Sequence, residues 1–156
     1  MHYFLGLEVK QGVDGIFISQ RKYAMDILKK FNMGNCKVAA MPMNVNEKLC
    51  RDDGAELANA TYFRSLVGGL NYSTYTRPNI AFFVGVMSRF IHNPSKPYLG
   101  PAKRILRYVA GTTEHEIWYS SVSNFRLSSF TDSDWVGDID DRKKTSRFVF
   151  NLGSGV

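Results

Sequence analysis

An α+β architecture is the expectation for this chain. Three observations predict it: strand-like alternation at the start, four stretches of helical apolar spacing in the middle, and short alternating segments at the end. Strands that flank a block of helices, instead of alternating with them, form antiparallel sheets set apart from the helices. The chain therefore reads as an N-terminal β-hairpin, about four helices, and then the first strands of a further sheet.

Each element has its own signal. Tyr3 to Lys10 and Ile16 to Ser19 are strand-like, and Gln11-Gly12-Val13-Asp14-Gly15 between them holds an Asp-Gly turn, so the two form a hairpin. Ser19 is placed to cap a helix from Gln20 to Phe31 that puts Ala24, Ile27, Leu28 and Phe31 on one face, with Lys22, Lys29 and Lys30 elsewhere. Cys36 to Ala55 has no sustained periodicity. It contains Pro42 and the turn Asp52-Asp53-Gly54, and reads as a long connection. A second helix is expected from about Thr61 to Tyr75, capped by Asn59 or Thr61. A third starts at Pro78, which suits a first helical position, and stops before Asn93-Pro94.

The fourth helix is the clearest. Ala102, Ile105, Leu106 and Val109 form one stripe, Lys103, Arg104 and Arg107 lie opposite, Gly111 supplies a stop, and Pro101 sets the beginning near Gly100. One face packs and the other is expected to stay basic. Ile117 to Ser120, Phe125 to Thr131 and Thr145 to Leu152 then read as short strands. A partial sheet at this end would leave an unpaired edge, so poor solubility is expected beyond Thr112.

Composition narrows the function. With 156 residues, 44% of them hydrophobic, the chain can bury one core or two small ones. It has no apolar run of about 18 residues and no secretory leader, so a cytosolic or nuclear, non-secreted, membrane-free setting is expected. Cys36 and Cys50 stand apart and read as ordinary thiols, which argues against a zinc site or a disulfide framework. The net charge of +6 is uneven. Leu57 to Thr113 contains no acid at all, yet carries Arg64, Arg77, Arg89, Lys96, Lys103, Arg104 and Arg107 among Tyr62, Tyr72, Tyr75 and Tyr108. Cations that displace counterions from phosphates, beside rings that can stack, point to a nucleic-acid surface; a solvated basic face is the plainer alternative.

Phe130-Thr131-Asp132-Ser133-Asp134-Trp135 places two carboxylates at a strand end, the kind of corner that a catalytic magnesium site requires. Phe4-Leu5-Gly6-Leu7-Glu8-Val9, Leu66-Val67-Gly68-Gly69-Leu70-Asn71-Tyr72, Thr76-Arg77-Pro78, Ala102-Lys103-Arg104-Ile105-Leu106-Arg107-Tyr108 and Ser133-Asp134-Trp135-Val136-Gly137-Asp138 together resemble, in order, the pol polyprotein of copia-type LTR retrotransposons. The stretch looks like the end of the reverse transcriptase, with thumb and connection, joined to the beginning of ribonuclease H.

The resemblance implies three regions: a primer-grip-like hairpin over residues 1–19, a thumb and connection-like helical region over 20–120, and an incomplete ribonuclease H-like part over 121–156. It implies that Leu5 and Gly6 contact the primer, with a core hairpin bulged at Gly6 as the bland alternative. It also implies that the Leu66 to Tyr72 helix, with Gly68 and Tyr72 on one face, follows the minor groove, helix–helix packing being an equal explanation of its glycines; Arg64 belongs to the expected nucleic-acid surface through the acid-free span, and Arg77 before Pro78 can reach a phosphate or cap a carbonyl. Lys103, Arg104 and Arg107 would add basic contacts. Asp132 is implied as the first magnesium carboxylate, while Asp134, Asp138, Asp140 and Asp141 take no firm role. The remaining ribonuclease H carboxylates and the paired polymerase Asp residues are not found, so catalysis by this chain alone is not expected. Arg147 and Glu116 stand where the family usually carries Gly. The implied partners are an RNA–DNA or DNA template–primer duplex and the remainder of the polyprotein; the alternative is a non-enzymatic relic or domesticated interaction protein with no nucleic-acid role.

Overall fold

Helix α1 (Arg21–Lys30) shows how closely the local chemistry matches the structure, a computed structural model describing residues 2–44, 54–121, 126–133 and 146–152. It ends in a reverse turn at Asn32, whose φ of 56° is left-handed. The Met33 amide donates to the Leu28 carbonyl at 2.8 Å and the Asn32 amide to the Lys29 carbonyl at 3.1 Å. These crossed bonds satisfy carbonyls that the helix end leaves open, and they fold Met33 back into the core beside Leu28.

The other helices follow their apolar spacing. Helix α2 (Ala60–Ser73) is capped by Asn59, whose side chain accepts from the Tyr62 amide at 2.9 Å, and it buries Phe63, Leu66, Val67 and Leu70. A 3-10 turn at Pro78–Ile80 leads into α3 (Ala81–Ser88), and another at Lys96–Tyr98 leads into α4 (Leu99–Gly111). Pro101 falls in the first turn of α4, where an amide has no partner within the helix, so the ring is tolerated one residue further in than expected. Ala24, Ile27 and Leu28 of α1 meet Ile105, Leu106 and Val109 of α4 in one core with α2, α3, Phe90 and Tyr98.

The strands depart from expectation in one place. Tyr3 to Lys10 is not a single strand: β1 (His2–Phe4) and β2 (Leu7–Gln11) pair antiparallel around Leu5-Gly6, with Phe4 opposite Leu7. Leu5 and Gly6 both have positive φ, 46° and 76°, which is the two-residue turn that matches strand twist. The bulge at Gly6 is thus replaced by a tight reversal. β3 (Gly15–Ser19) follows as expected, and β4 (Glu116–Ser120) pairs with it, giving a four-stranded sheet in the order β1-β2-β3-β4. The strand after the helices is therefore not left unpaired. It closes onto the N-terminal strands.

β5 (Leu127–Ser133) and β6 (Ser146–Leu152) form a separate antiparallel pair. All sheet pairing among the described residues is antiparallel, and the mixed architecture is compatible with α+β. Asp52, Asp53, Asp134, Asp138, Asp140, Asp141 and Cys50 lie outside the described residues.

A buried polar network ties the helix ends together. Arg77, only 2% exposed, donates from Nη2 to the Thr112 carbonyl at 2.9 Å, from Nε to the Thr112 hydroxyl at 3.2 Å, and from Nη1 to the Thr76 hydroxyl at 3.0 Å. Thr76 donates to Gln20 Oε1 at 2.8 Å, and Gln20 Nε2 donates to the Tyr72 carbonyl at 3.1 Å. Gln20 begins α1 without capping it, so the expected cap at Ser19 is absent and the Gln20 side chain reaches α2 instead. Replacing Arg77→Met strips charge-assisted bonds from buried oxygens and should destabilise the fold by about 2–3 kcal/mol, read from urea unfolding.

Candidate nucleic-acid interface

The turn at Leu5-Gly6 is seated on helix α2. The Tyr72 hydroxyl donates to the Leu5 carbonyl, and a methyl group added at Gly6 would stand 3.1 Å from Tyr72 Cε1. Leu5, Gly6 and Tyr72, expected as contacts from two separate motifs, form one local surface. Tyr72 is held on both flanks, edge-on to Tyr23 at 4.8 Å and to Tyr75 at 5.3 Å between ring centroids. Tyr23 in turn donates to the Gly69 carbonyl at 3.1 Å. Burial, with the neighbouring phenol of Tyr72 adding to it, raises the Tyr23 pKa above the usual phenol value.

Two adjacent glycines of α2 play opposite parts. A side chain at Gly69 would run into Ile27 Cδ1 at 2.5 Å, so Gly69 permits the close approach of α1. Gly68 is exposed and has nothing within 4 Å of an added methyl. It lies on an open stripe with Thr61, Arg64, Asn71 and Tyr75, spaced at three to four residues. Arg64 is exposed, and its Nε donates to the Ile91 carbonyl at 3.1 Å. Tyr75 is 67% exposed beyond the end of the helix.

The remaining basic residues are distributed otherwise. Arg77 is not at the surface: its guanidinium caps the Thr112 carbonyl, the alternative to a phosphate contact, and burial lowers its pKa below the ordinary value while Tyr108 opposes the shift. Arg104 is half-buried and donates to the Met41 carbonyl at 3.3 Å, and the Arg107 carbonyl accepts from the Ala39 amide at 3.3 Å. The connection at residues 38–43 therefore runs along α4, so the side expected to be bare is partly covered. The Arg107 side chain remains exposed and Lys103 is half-buried. Two exposed ion pairs, Arg21–Glu114 at 3.0 Å and Lys96–Glu56 at 2.6 Å, involve none of Arg64, Lys103, Arg104 or Arg107.

Asp132 lies in β5 with Arg147 as its partner in the register. Among the described residues no three His, Cys, Asp or Glu side chains gather to hold a metal ion. A magnesium centre needs further carboxylates beside Asp132, and no step is derived through one.

Over 153 residues, 98% of its length, the chain is 40% identical to the retrovirus-related Pol polyprotein from transposon RE1 of Arabidopsis thaliana and 38% identical to that from transposon RE2 of the same plant. It belongs to the copia-type Pol polyproteins. The chain spans about a tenth of the length of these two Pol relatives. It is also 36% identical, over its whole length, to an uncharacterized mitochondrial protein of Arabidopsis thaliana, covering 65% of that protein. No family model matches the chain. No solved structure matches it significantly. No helix among the described residues is long and apolar enough to cross a membrane.

Tyr23 and Tyr75 complete this surface, and the buried Gln20 supports it from inside, without any of the three having been singled out as site residues. Tyr75 carried a signal, as an aromatic within the acid-free span. Gln20 carried none, because a polar residue at a helix start ordinarily faces water. Replacing Tyr72→Phe removes the bond to the turn. Amide exchange over residues 2–11 should then accelerate while α2 stays protected, with about 1 kcal/mol lost overall. A second expectation follows from Tyr23, whose proton is held more tightly in the fold than in the unfolded chain. Stability should be intact below pH about 10 and fall as pH rises through that range, and less steeply in Tyr23→Phe.

Proposed function

We propose that this Pol segment is the end of a reverse transcriptase joined to the start of a ribonuclease H-like part, and that its role is to hold a template–primer duplex. The observation that carries the reading is the Leu5-Gly6 turn locked to Tyr72, at one end of the open stripe of Arg64, Gly68, Asn71 and Tyr75. A reversed turn presents backbone without a bulky side chain at Gly6, and Gly68 leaves a gap where a sugar–phosphate backbone can come close. No acid occurs from Leu57 to Thr113, so nothing in that span repels phosphate. Lys103, Arg104 and Arg107 extend the cationic surface, with Arg107 the most accessible.

Catalysis is not part of this reading. Asp132 would supply one carboxylate toward magnesium, and the other ligands would have to come from elsewhere in a Pol polyprotein.

Titration of a labelled RNA–DNA hybrid at several salt concentrations tests the proposal. Affinity should fall with rising salt, and Arg107→Gln should reduce the slope of log affinity against log salt by about 0.9 if it meets one phosphate. Gly68→Ala should raise stability by up to about 1 kcal/mol, since Ala is the better helix former and meets nothing there, yet weaken the hybrid. Absence of binding at low salt, or affinity indifferent to salt, removes the nucleic-acid role.

A further inference from the structure

Helix α1 starts without a cap of its own. Gln20 makes no side-chain cap bond, the first turn of α1 holds no acid, and the Gln20 side chain is turned away to Thr76 and to the Tyr72 carbonyl. The amides of a first helical turn have no partner within the helix and carry a partial positive charge, so a carboxylate is the acceptor that suits them. It arrives from another element. Half-buried Glu8 of β2 accepts from the Lys22 amide at 2.7 Å, across 14 residues of sequence.

Lys22 makes a second contact with the same hairpin. Its Nζ lies 5.0 Å from the centroid of the Tyr3 ring, and Tyr3 is the partner of Glu8 in the register of β1 and β2. One residue of α1 therefore touches both strands that flank the Leu5-Gly6 turn, while the turn itself is held by the Tyr72 hydroxyl. β3 runs straight into α1, whereas β2 and then β1 lie beyond it in the sheet order and are tied back by these contacts. The sheet puts no apolar residue into the helical core, so polar contacts set where the turn sits on α2. The Arg21–Glu114 pair reaches only the approach to β4, and its exposure makes it weak.

We infer that Glu8 is a positioning residue for the duplex contact: its carboxylate fastens the hairpin to the start of α1 and so sets the Leu5-Gly6 turn against the α2 stripe, a role that rests on the duplex-holding function proposed above. The sign of its effect separates it from a bystander acid. Two strand residues span about 7 Å, inside the screening length of about 8 Å at physiological salt, so a bystander carboxylate two residues from Gly6 repels phosphate, and its loss improves binding. A positioning carboxylate does the reverse, because its removal releases the turn.

Two variants of the full chain read this sign. Glu8→Gln discards the charge and keeps an acceptor oxygen, whereas Glu8→Ala discards both. Far-ultraviolet dichroism and amide protection in α2 should be unchanged in each, since Glu8 lies outside the helical core. Without nucleic acid, exchange of the Lys22 amide and of residues 2–11 should accelerate about fivefold in Glu8→Ala and stay near the unaltered rate in Glu8→Gln. With a labelled RNA–DNA hybrid, Glu8→Ala should bind about fivefold more weakly although a negative charge is gone, and Glu8→Gln at least as tightly as the unaltered chain. Joined to Tyr72→Phe, which frees the same turn, Glu8→Ala should weaken the hybrid by less than the product of the two separate losses. Tighter binding by both variants, unchanged exchange in Glu8→Ala, or losses that simply multiply, as for a cap that serves α1 alone, overturns the assignment. Failure of the unaltered chain to bind the hybrid is a separate result: it removes the duplex role and this assignment with it.

Discussion

A buried cation with no carboxylate partner among the described residues organises this molecule. The guanidinium of Arg77 lies at the C-terminal end of α4, where carbonyls are left without amide partners and the helix dipole is negative. Thr112 and Thr76 supply the remaining oxygens. Such a site tolerates Arg better than Lys, because the planar fork meets several acceptors at once and the charge persists even when burial lowers the pKa. Through Thr76 and Gln20 the same network reaches the end of α2 and the start of α1. The positions of three helix ends therefore depend on one side chain.

That constraint leads outward to the surface. Gln20 holds the carbonyl of Tyr72 inside the protein while the Tyr72 hydroxyl holds the carbonyl of Leu5 outside. Tyr72 is thus fixed at both ends, and the ring contacts with Tyr23 and Tyr75 restrict its rotation. The helices provide the rigid part, with a continuous core, whereas the four-stranded sheet contributes no apolar residue to that core. Few contacts join the two, notably Tyr72 with Leu5, Lys22 with Glu8 and Tyr3, and Arg21 with Glu114. A sheet attached in this way takes its orientation from those few contacts.

Local chemistry explains why some features were legible and others were not. Asn59 as a cap and the stripes of α1, α2 and α4 rest on interactions within one or two helical turns, so their spacing along the chain is enough to reveal them. The turn at Leu5-Gly6 was hidden because Leu rarely takes positive φ, and the alternation continued across it. Arg77 presented a different difficulty. Its neighbours Thr76 and Pro78 suit a surface phosphate contact or an internal cap equally, and the deciding oxygens belong to Thr112, 35 residues away.

From the amino-acid order alone came the helices, the short strands, the acid-free basic span and membership of the copia-type Pol polyproteins, all of which are carried by residue spacing and motif order. Only the tertiary structure decided that β4 closes onto the first strands, that the connection at residues 38–43 covers part of α4, and that Arg77 is internal while Gly68 and Tyr75 face solvent. The physical reason is range. Backbone propensities and helical stripes act between near neighbours, whereas burial, sheet order and the fate of a charge are settled by groups distant in sequence that the folded chain brings within hydrogen-bonding distance.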